Sequence, residues 1–315
     1  MAVTWDGCKV LVTGGASFIG SHLVDALVEA GHEAVIVDNL ATGSQSNPNS
    51  KARVYHTSIT DYDELRKVIE QERPDIVNHH AAQTSVRHSM ADPSYDAQVN
   101  IVGSINLLRL CVEFGVKKVL FASTCAAYAP PEYIPMREDH PKRPESAYGL
   151  AKHTVENYIR FFHETQGLNY KIFRYGNVYG PRQNPGGEAG VVAIFTGQML
   201  GGTQPTIFGD GKKTRDYIYV GDVVRANMLG MADEGDNDVY NVAGGKEVTD
   251  FEIFDAVREA TGVVVEPRYA ERRPGEASRV SLDCSKVSKV LRWTPTVQLQ
   301  DGIREVVAHY RTASH

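Results

Sequence analysis

Several things are scarce in this 315-residue chain, and each scarcity excludes a class of protein. No run of about 18 apolar residues occurs, so no segment reads as a membrane-spanning helix. The opening stretch, MAVTWDGCKVLVTGG, has no apolar signal core before a strand-like run begins. Only four cysteines are present, Cys8, Cys111, Cys125 and Cys284, in no CxxC or other metal spacing and no short disulfide framework, which predicts reduced thiols and a cytoplasmic setting. Positive charge is not in excess: 33 Lys plus Arg stand against 39 Asp plus Glu, a net charge of -6. That balance argues against nucleic acid or an anionic membrane as partner, and an anionic ligand would need basic groups gathered locally. Internal repeats and low-complexity tracts are also missing.

What is present is alternation. Short β-branched runs, KVLVTG from Lys9, EAVIVD ending at Asp38, ARVYHT from Ala52, DIVNHH from Asp75, KKVLFAS from Lys117 and NYKIFRYG from Asn169, alternate with helical patterns over 18–30, 61–71, 93–114 and 147–166. This is the signature of βαβ units, and right-handed crossovers would stack the helices on both faces of a parallel sheet. The third helix carries apolar residues at Val99, Val102, Ile105 and Leu108 and a stop at Gly115. After about Pro181 the rhythm changes: 182–190 is polar and rich in Gly and Pro, and later elements are shorter. The expected class is α/β, a doubly wound parallel sheet (Rossmann) over 1–180, with a smaller lobe over 181–315. The two interleave, because KKTRDYIYVGDVVRANMLGM reads as a strand and helix returning to the main sheet near 214–250.

TGGASFIGSHL follows the first strand and opens the first helix, where a glycine turn can aim backbone N–H groups and a helix N-terminus at a pyrophosphate. Asp38 ends the second strand 18 residues beyond Gly20, where a carboxylate can accept both ribose hydroxyls and repel a 2′-phosphate. The pattern predicts NAD rather than NADP. Ser17 takes the middle place normally held by glycine, a small enough side chain for the turn to tolerate.

YGLAK places a phenol at Tyr148 and an ammonium at Lys152, four apart and so on one helix face. Any amphipathic helix can show that spacing. As a pair, however, they form a candidate acid/base. Bringing a phenol near neutrality costs about 4 kcal/mol, and an ammonium about 5 Å beneath its ring, at an effective dielectric of about 20, supplies about 3 kcal/mol. HHAA at residues 79–82 is a poor metal pair, since adjacent histidines point apart and no carboxylate set accompanies them, so no metal is expected.

Taken together, TGGASFIG, Asp38, NHHAAQTSV, VNIVGSINLL, FASTCAAY, YGLAK, FRYGNVYGPRQ and TRDYIYVGDV resemble the extended short-chain dehydrogenase/reductase family, and within it the UDP-galactose 4-epimerase group of nucleotide-sugar enzymes. The similarity runs from about residue 9 to 301. It implies a catalytic triad of Tyr148, Lys152 and Thr124. Around NAD it implies Gly14, Ser17, Phe18, Ile19 and Gly20 at the phosphates, with Asp38, Asn39, Ser58 and Ile59 near the adenosine. Ala81, Ala82, Asn100, Tyr175 and the Tyr148–Lys152 pair complete that set. For a UDP-sugar it implies Asn177 and Arg215 with Arg273 at the diphosphate, Phe208 near the uracil and Glu276 near the uridine ribose, besides Thr124 and Tyr148 at the sugar. A homodimer through the helices over 99–110 and 148–158 is also implied.

The family's dehydratases carry Asp and Glu directly after the catalytic Thr, and its uronate decarboxylases a Glu at the second place. Here these are Cys125 and Ala126. Without a carboxyl, reversible oxidation at C4 remains, hence a 4-epimerase of UDP-glucose/UDP-galactose type. Other UDP-sugars, N-acetylhexosamines or uronates among them, are the alternatives: Val280 falls near the family's gatekeeping position for bulky 2-substituents. Ser58, Ala129, Cys125 and Ala127 depart from the family pattern beside the adenine and the sugar. A non-catalytic NAD sensor on this fold is a further alternative, but such proteins lose the Tyr and Lys that remain here.

Overall fold

The computed structural model describes residues 7–185, 190–271 and 278–313. Six strands of the first half, β1 (Lys9–Thr13), β2 (Glu33–Val37), β3 (Arg53–Tyr55), β4 (Ile76–His79), β5 (Lys118–Thr124) and β6 (Asn169–Tyr175), join a late strand, Asp238–Val242, in one parallel sheet. Its order is Asp238–Val242, β6, β5, β4, β1, β2, β3, so the winding reverses between β1 and β4. At such a reversal the crossovers part and leave a crevice beyond the C-terminal strand ends. The chain is thus a doubly wound Rossmann sheet.

Side-chain alternation builds a core on each face. Val10 and Val12, Ala34 and Ile36, Leu120 and Ala122, and Phe173 and Tyr175 point to one face, where Leu23, Val24 and Leu27 of α1 (Phe18–Glu29) cover them. Leu11, Val35, Val37, Val119, Phe121 and Ile172 point to the other, beneath α2 (Tyr62–Glu72), α5 (Gly103–Glu113) and α6 (Ala147–Gln166). Strands buried on both faces need near-continuous apolar runs, which is what VLV and AVIV supply. α6 is bounded as its sequence predicts: the Ser146 hydroxyl accepts from Gly149 N at 3.1 Å, and Gly167 closes it at φ 72°.

Three expectations change. The 93–114 helix is not uniform: after the short α3 (Val86–Ala91) come α4 (Pro93–Ala97), a π turn over Gln98–Val102, and only then α5. The widened turn aims Asn100 at the preceding loop, where its Oδ1 accepts from Gln83 N (2.8 Å) and its Nδ2 donates to Gln83 O (2.9 Å). The strand expected from Ala52 shrinks to the three residues of β3 at the sheet edge. In the second half, Tyr217–Tyr219 pairs with Asn177–Tyr179 outside the main sheet, and it is the helix Val220–Gly230, the strand Asp238–Val242 and Val287, Leu291 and Trp293 that complete the first face of the main core. A separate core gathers Val192, Phe195, Ile253, Phe254, Ile303 and Val306 of the second half of the chain.

One polar pair ties these layers beneath the crevice. Glu156, one turn beyond Lys152, and Arg174 on β6 are 0 % and 1 % exposed. Arg174 Nε and Nη2 donate to the two Glu156 oxygens at 2.8 and 2.5 Å, and Ser123 Oγ on β5 donates to Glu156 at 2.6 Å. Arg174 also donates to Tyr128 Oη at 3.0 Å and to Glu138 O at 3.1 Å, reaching the loop between β5 and α6. Burial opposes ionisation of Glu156, yet the hydrogen bonds from Arg174, His153 and Ser123 hold its carboxyl down to about 2.

Breaking such a pair strands a buried charge, so Glu156→Ala is expected to cost about 3–5 kcal/mol in urea unfolding. The acid dependence has a definite sign: a carboxyl depressed on folding stabilises fully above its unfolded value near 4.3 and loses that contribution as pH falls toward 2. Glu156→Ala should therefore lose less of its remaining stability than the parent protein between pH 5 and 2.

Candidate active site

The strand registers line the candidate residues along one edge. Thr13 pairs with Val37 and His79, His79 with Phe121, and Thr124 with Tyr175, so the segments after β1, β2, β4, β5 and β6 all open on the crevice.

At β1 the turn is tightly shaped. Gly14 has φ 72°, and a Cβ there would come 2.8 Å from Ala81 N; a Cβ on Gly20 would lie 2.1 Å from Gly14 O. Only glycine lets the turn, α1 and the 80–82 segment approach so closely. Ser17 is the N-cap, but its hydroxyl turns back to Gly14 O (2.5 Å) and caps no N–H of α1, which leaves the start of the helix at Phe18 and Ile19 open to an anion. Asp38 is buried after β2, its two oxygens fixed by Ala16 N (2.9 Å) and Leu40 N (2.8 Å). Asn39 is exposed, Ser58 Oγ pairs with Thr60 Oγ1 at 2.8 Å, and Ile59 is buried against the α5 entrance at Gly103. The glycine cradle, the open helix start and the fixed acid fit NAD.

The two histidines diverge, and their rings make protein contacts. Ser104 Oγ gives its proton to Asn100 O (2.5 Å), so it accepts from His79 Nε2 (2.9 Å); His79 Nδ1 then accepts from Thr13 Oγ1 (2.7 Å), which itself accepts from Ala81 N (3.1 Å). Burial pushes His79 well below its usual range and His80 down to about 3. The His80 ring stacks on Tyr175, whose hydroxyl accepts from Asn227 Nδ2 at 2.8 Å. Among the described residues, no group of three His, Cys, Asp or Glu could hold a metal.

Tyr148 and Thr124 are brought together. A hydrogen bond from the Thr124 side chain favours the phenolate, but burial, the larger effect, pushes the phenol up. Lys152 differs from the expectation. Its ammonium is not under the Tyr148 ring; it donates to Ala122 O at 2.9 Å and stands 4.8 Å from the Phe121 ring centre. Burial brings it down to about 8, against the field of Asp96. A buried ammonium needs an acceptor, and the strand-end carbonyl of β5 is the one within reach. Gly149 permits the approach of α6 to this strand end, since a Cβ there would lie 2.2 Å from Ala126 O. Cys125 starts the turn after Thr124, its thiol pushed up to about 11 by burial.

Of the residues expected at the substrate, Asn177 donates its N–H to Asp216 O at 2.6 Å, and Arg215 lies in a strand paired with Val248–Thr249. Phe208 ends a strand parallel to Arg268–Ala270. Arg273 and Glu276 lie outside the described residues. Asp216 is fully buried and joins three segments: its Oδ2 accepts from Leu282 N (2.9 Å) and its Oδ1 from Gly245 N (3.1 Å), while burial raises its carboxyl to about 7. Asp216, Gly149, Glu156 and Arg174 were not candidates in the sequence. Glu156 had a signal, the continued spacing Tyr148, Lys152, Glu156; Asp216 and Arg174 sat unmarked inside TRDY and FRYG.

Gly20→Ala is expected to force the turn open by its clash with Gly14 O. Less than about a tenth of the parent's NAD should then be released on denaturation of the purified protein, with the sheet still folded by circular dichroism.

The family model of the NAD dependent epimerase/dehydratase family matches residues 10–243. A putative UDP-glucose 4-epimerase of Methanocaldococcus jannaschii is 44 % identical over 299 residues, 95 % of this chain and 97 % of the relative. Among solved structures, the UDP-glucose 4-epimerase of Thermotoga maritima with UDP-glucose superposes with a TM-score of 0.95 at 45 % identity, covering 98 % of this chain and 100 % of that one. The Thermus thermophilus UDP-glucose 4-epimerase in complex with NAD gives 0.91 at 41 % identity over 97 % and 99 % of the two chains. On these matches this chain belongs to the NAD-dependent epimerase/dehydratase family of extended short-chain dehydrogenases/reductases, as an isomerase of the UDP-glucose 4-epimerase type.

Proposed function

We propose that the chain interconverts the C4 epimers of a UDP-sugar of the UDP-glucose/UDP-galactose type. The observation that carries this reading is Thr124 beside Tyr148 at the crevice, followed by Cys125 and Ala126 where an elimination would need a carboxyl. When bound, NAD takes a hydride from sugar C4 and gives it back. Gly14, Ser17, Phe18, Ile19, Gly20 and Asp38 are the residues that would hold its phosphates and ribose, and Lys152 its nicotinamide ribose, while Asn100 packs against the loop after β4.

In this reading Thr124 holds the 4-hydroxyl, and Tyr148 removes its proton and later returns it. Burial favours the protonated phenol, so Tyr148 gives up its proton only when positive charge is close. Lys152, fixed on Ala122 O, is the chain's own such charge. The 4-keto sugar must turn about its phosphate link to be reduced on its other face. UDP therefore has to be gripped and the sugar left loose. Asn177 and Arg215, with Arg273, fit the grip, since paired charge-assisted donors suit a diphosphate; Phe208 and Glu276 fit the uridine.

Val280 favours a second sugar class. It is 9 % exposed and packs with Tyr128, Met136, Ala243 and Leu282, and a side chain this modest is compatible with N-acetyl sugars as well as plain hexoses. A homodimer is part of the same proposal: Val102 on the π turn and Leu150, Tyr158 and Phe161 on α6 are exposed apolar residues, Leu150 at 55 % and Phe161 at 54 %, that a second copy would cover.

Incubating the protein without added cofactor with UDP-glucose, UDP-N-acetylglucosamine and UDP-glucuronate, and following the anomeric NMR signals, should show UDP-galactose forming. A C4 epimer from none of the three would sink the proposal. Tyr148→Phe should lower kcat by about 10²–10⁴ while its NAD content stays unchanged.

A further inference from the structure

Tyr148 is held from outside its own helix. At the start of α6 the Ser146 hydroxyl accepts from Gly149 N, the third N–H of the helix, and leaves the second, that of Tyr148, without a partner in its own turn. The partner comes from α3: Ser89 Oγ accepts from Tyr148 N at 3.1 Å. Ser89 is 0 % exposed, and its hydroxyl donates its proton to Val86 O at 2.7 Å. With the proton committed inside α3, the lone pairs of the oxygen are turned to the amide on α6.

α3 is itself tied to the cofactor side of the crevice. Ser85, its N-cap, donates its N–H to Gln83 Oε1 at 2.5 Å, and Ser85 O accepts from Gln83 Nε2 at 3.0 Å. The Gln83 backbone is gripped in both directions by Asn100, and its Nε2 also donates to Asp96 Oδ1 at 2.7 Å. Just before it, Ala81 N donates to Thr13 Oγ1 at 3.1 Å and lies against the glycine turn at Gly14. A short, fully tied stretch of chain thus runs from the turn shaped for a pyrophosphate to the hydroxyl that holds Tyr148 N, and α3 packs against α6 along the way.

We propose that Ser89 is a positioning residue for the C4 chemistry: through the Tyr148 amide it sets the phenol in register with the segment after β4 that opens on the crevice. This rests on the reading of Tyr148 as the acid/base and adds the group that fixes its place. Proton transfer needs the phenol within hydrogen-bond reach of the 4-hydroxyl, so a shift of about 1 Å at the start of α6 is felt in turnover. Binding of NAD and of the UDP part does not depend on that contact.

Ser89→Ala removes the acceptor. It is expected to lower kcat by about 10–100-fold, with KM for UDP-glucose within about twofold of the parent and NAD content unchanged. In a Tyr148→Phe background the same change should cost less than about twofold, because the hydroxyl that Ser89 places is already gone; a general effect on the fold would lower both backgrounds alike. Parental kcat in Ser89→Ala, a fall accounted for by lost NAD, or an equal fall in both backgrounds overturns the proposal. Should Ser89→Ala not fold, Ser89→Cys decides, since it keeps the shape and puts a weak acceptor in place of the oxygen. There a kcat lowered by about fivefold or more is expected, and parental turnover overturns the proposal. Failure of the underlying reading shows elsewhere, as full turnover in Tyr148→Phe alone.

Discussion

Glu156 and Arg174 bury opposite charges between α6 and β6, and the reactive end of the crevice hangs from that contact. Through Ser123 the carboxylate holds the last turn of β5 just before Thr124, and along α6 it lies one turn beyond Lys152 and two beyond Tyr148. Through Tyr128 and Glu138 O the guanidinium holds the loop between β5 and α6. Tyr128 passes the constraint on, donating to Asn241 Oδ1 at 2.6 Å, while Asn241 Nδ2 donates to Met136 O and Asp283 O. An apolar pair could fill the same volume at no loss of stability, but it would not fix the direction of four separate segments.

Around this anchor the site is built mainly from uncharged groups. His79, His80, Tyr148, Tyr175 and Cys125 are all shifted by burial toward their neutral forms. In such a medium a single charge acts over a longer distance than in water. A bound dinucleotide whose ring gains and loses positive charge would therefore dominate the local electrostatics. Burial, the largest effect, is what raises the Tyr148 phenol.

The parts legible in the sequence were those written in periodicity and turn chemistry. β1, β2, β4 to β6 and α6 follow from apolar runs and caps, and the glycine turn and Asp38 from spacing alone. What stayed hidden was direction. Spacing puts Lys152 on the Tyr148 face but cannot say that its ammonium reaches for Ala122 O. The helical pattern around Asn100 cannot reveal a π turn, because one extra residue per turn leaves the apolar rhythm nearly intact. Asp96, Arg174 and Asp216 are polar residues in polar-looking segments, and only their tertiary partners make them buried. The strand Asp238–Val242 escaped for a similar reason, being short and separated from its sheet neighbour β6 by more than sixty residues.

The late return of that strand bears on how the protein is made. One face of the main sheet is sealed only by Val220–Gly230, Asp238–Val242 and Val287 to Trp293, all from the last third of the chain. On the ribosome, the face carrying Leu120, Ala122, Phe173 and Tyr175 must wait, uncovered beside α1, until that last third emerges. Synthesis from the N-terminus thus leaves the nascent dinucleotide half with a wet apolar face and an unpaired β6 edge for a long interval, a state open to chaperones and to aggregation alike. Because late elements complete the first-half sheet and its core, the dinucleotide half cannot finish folding first.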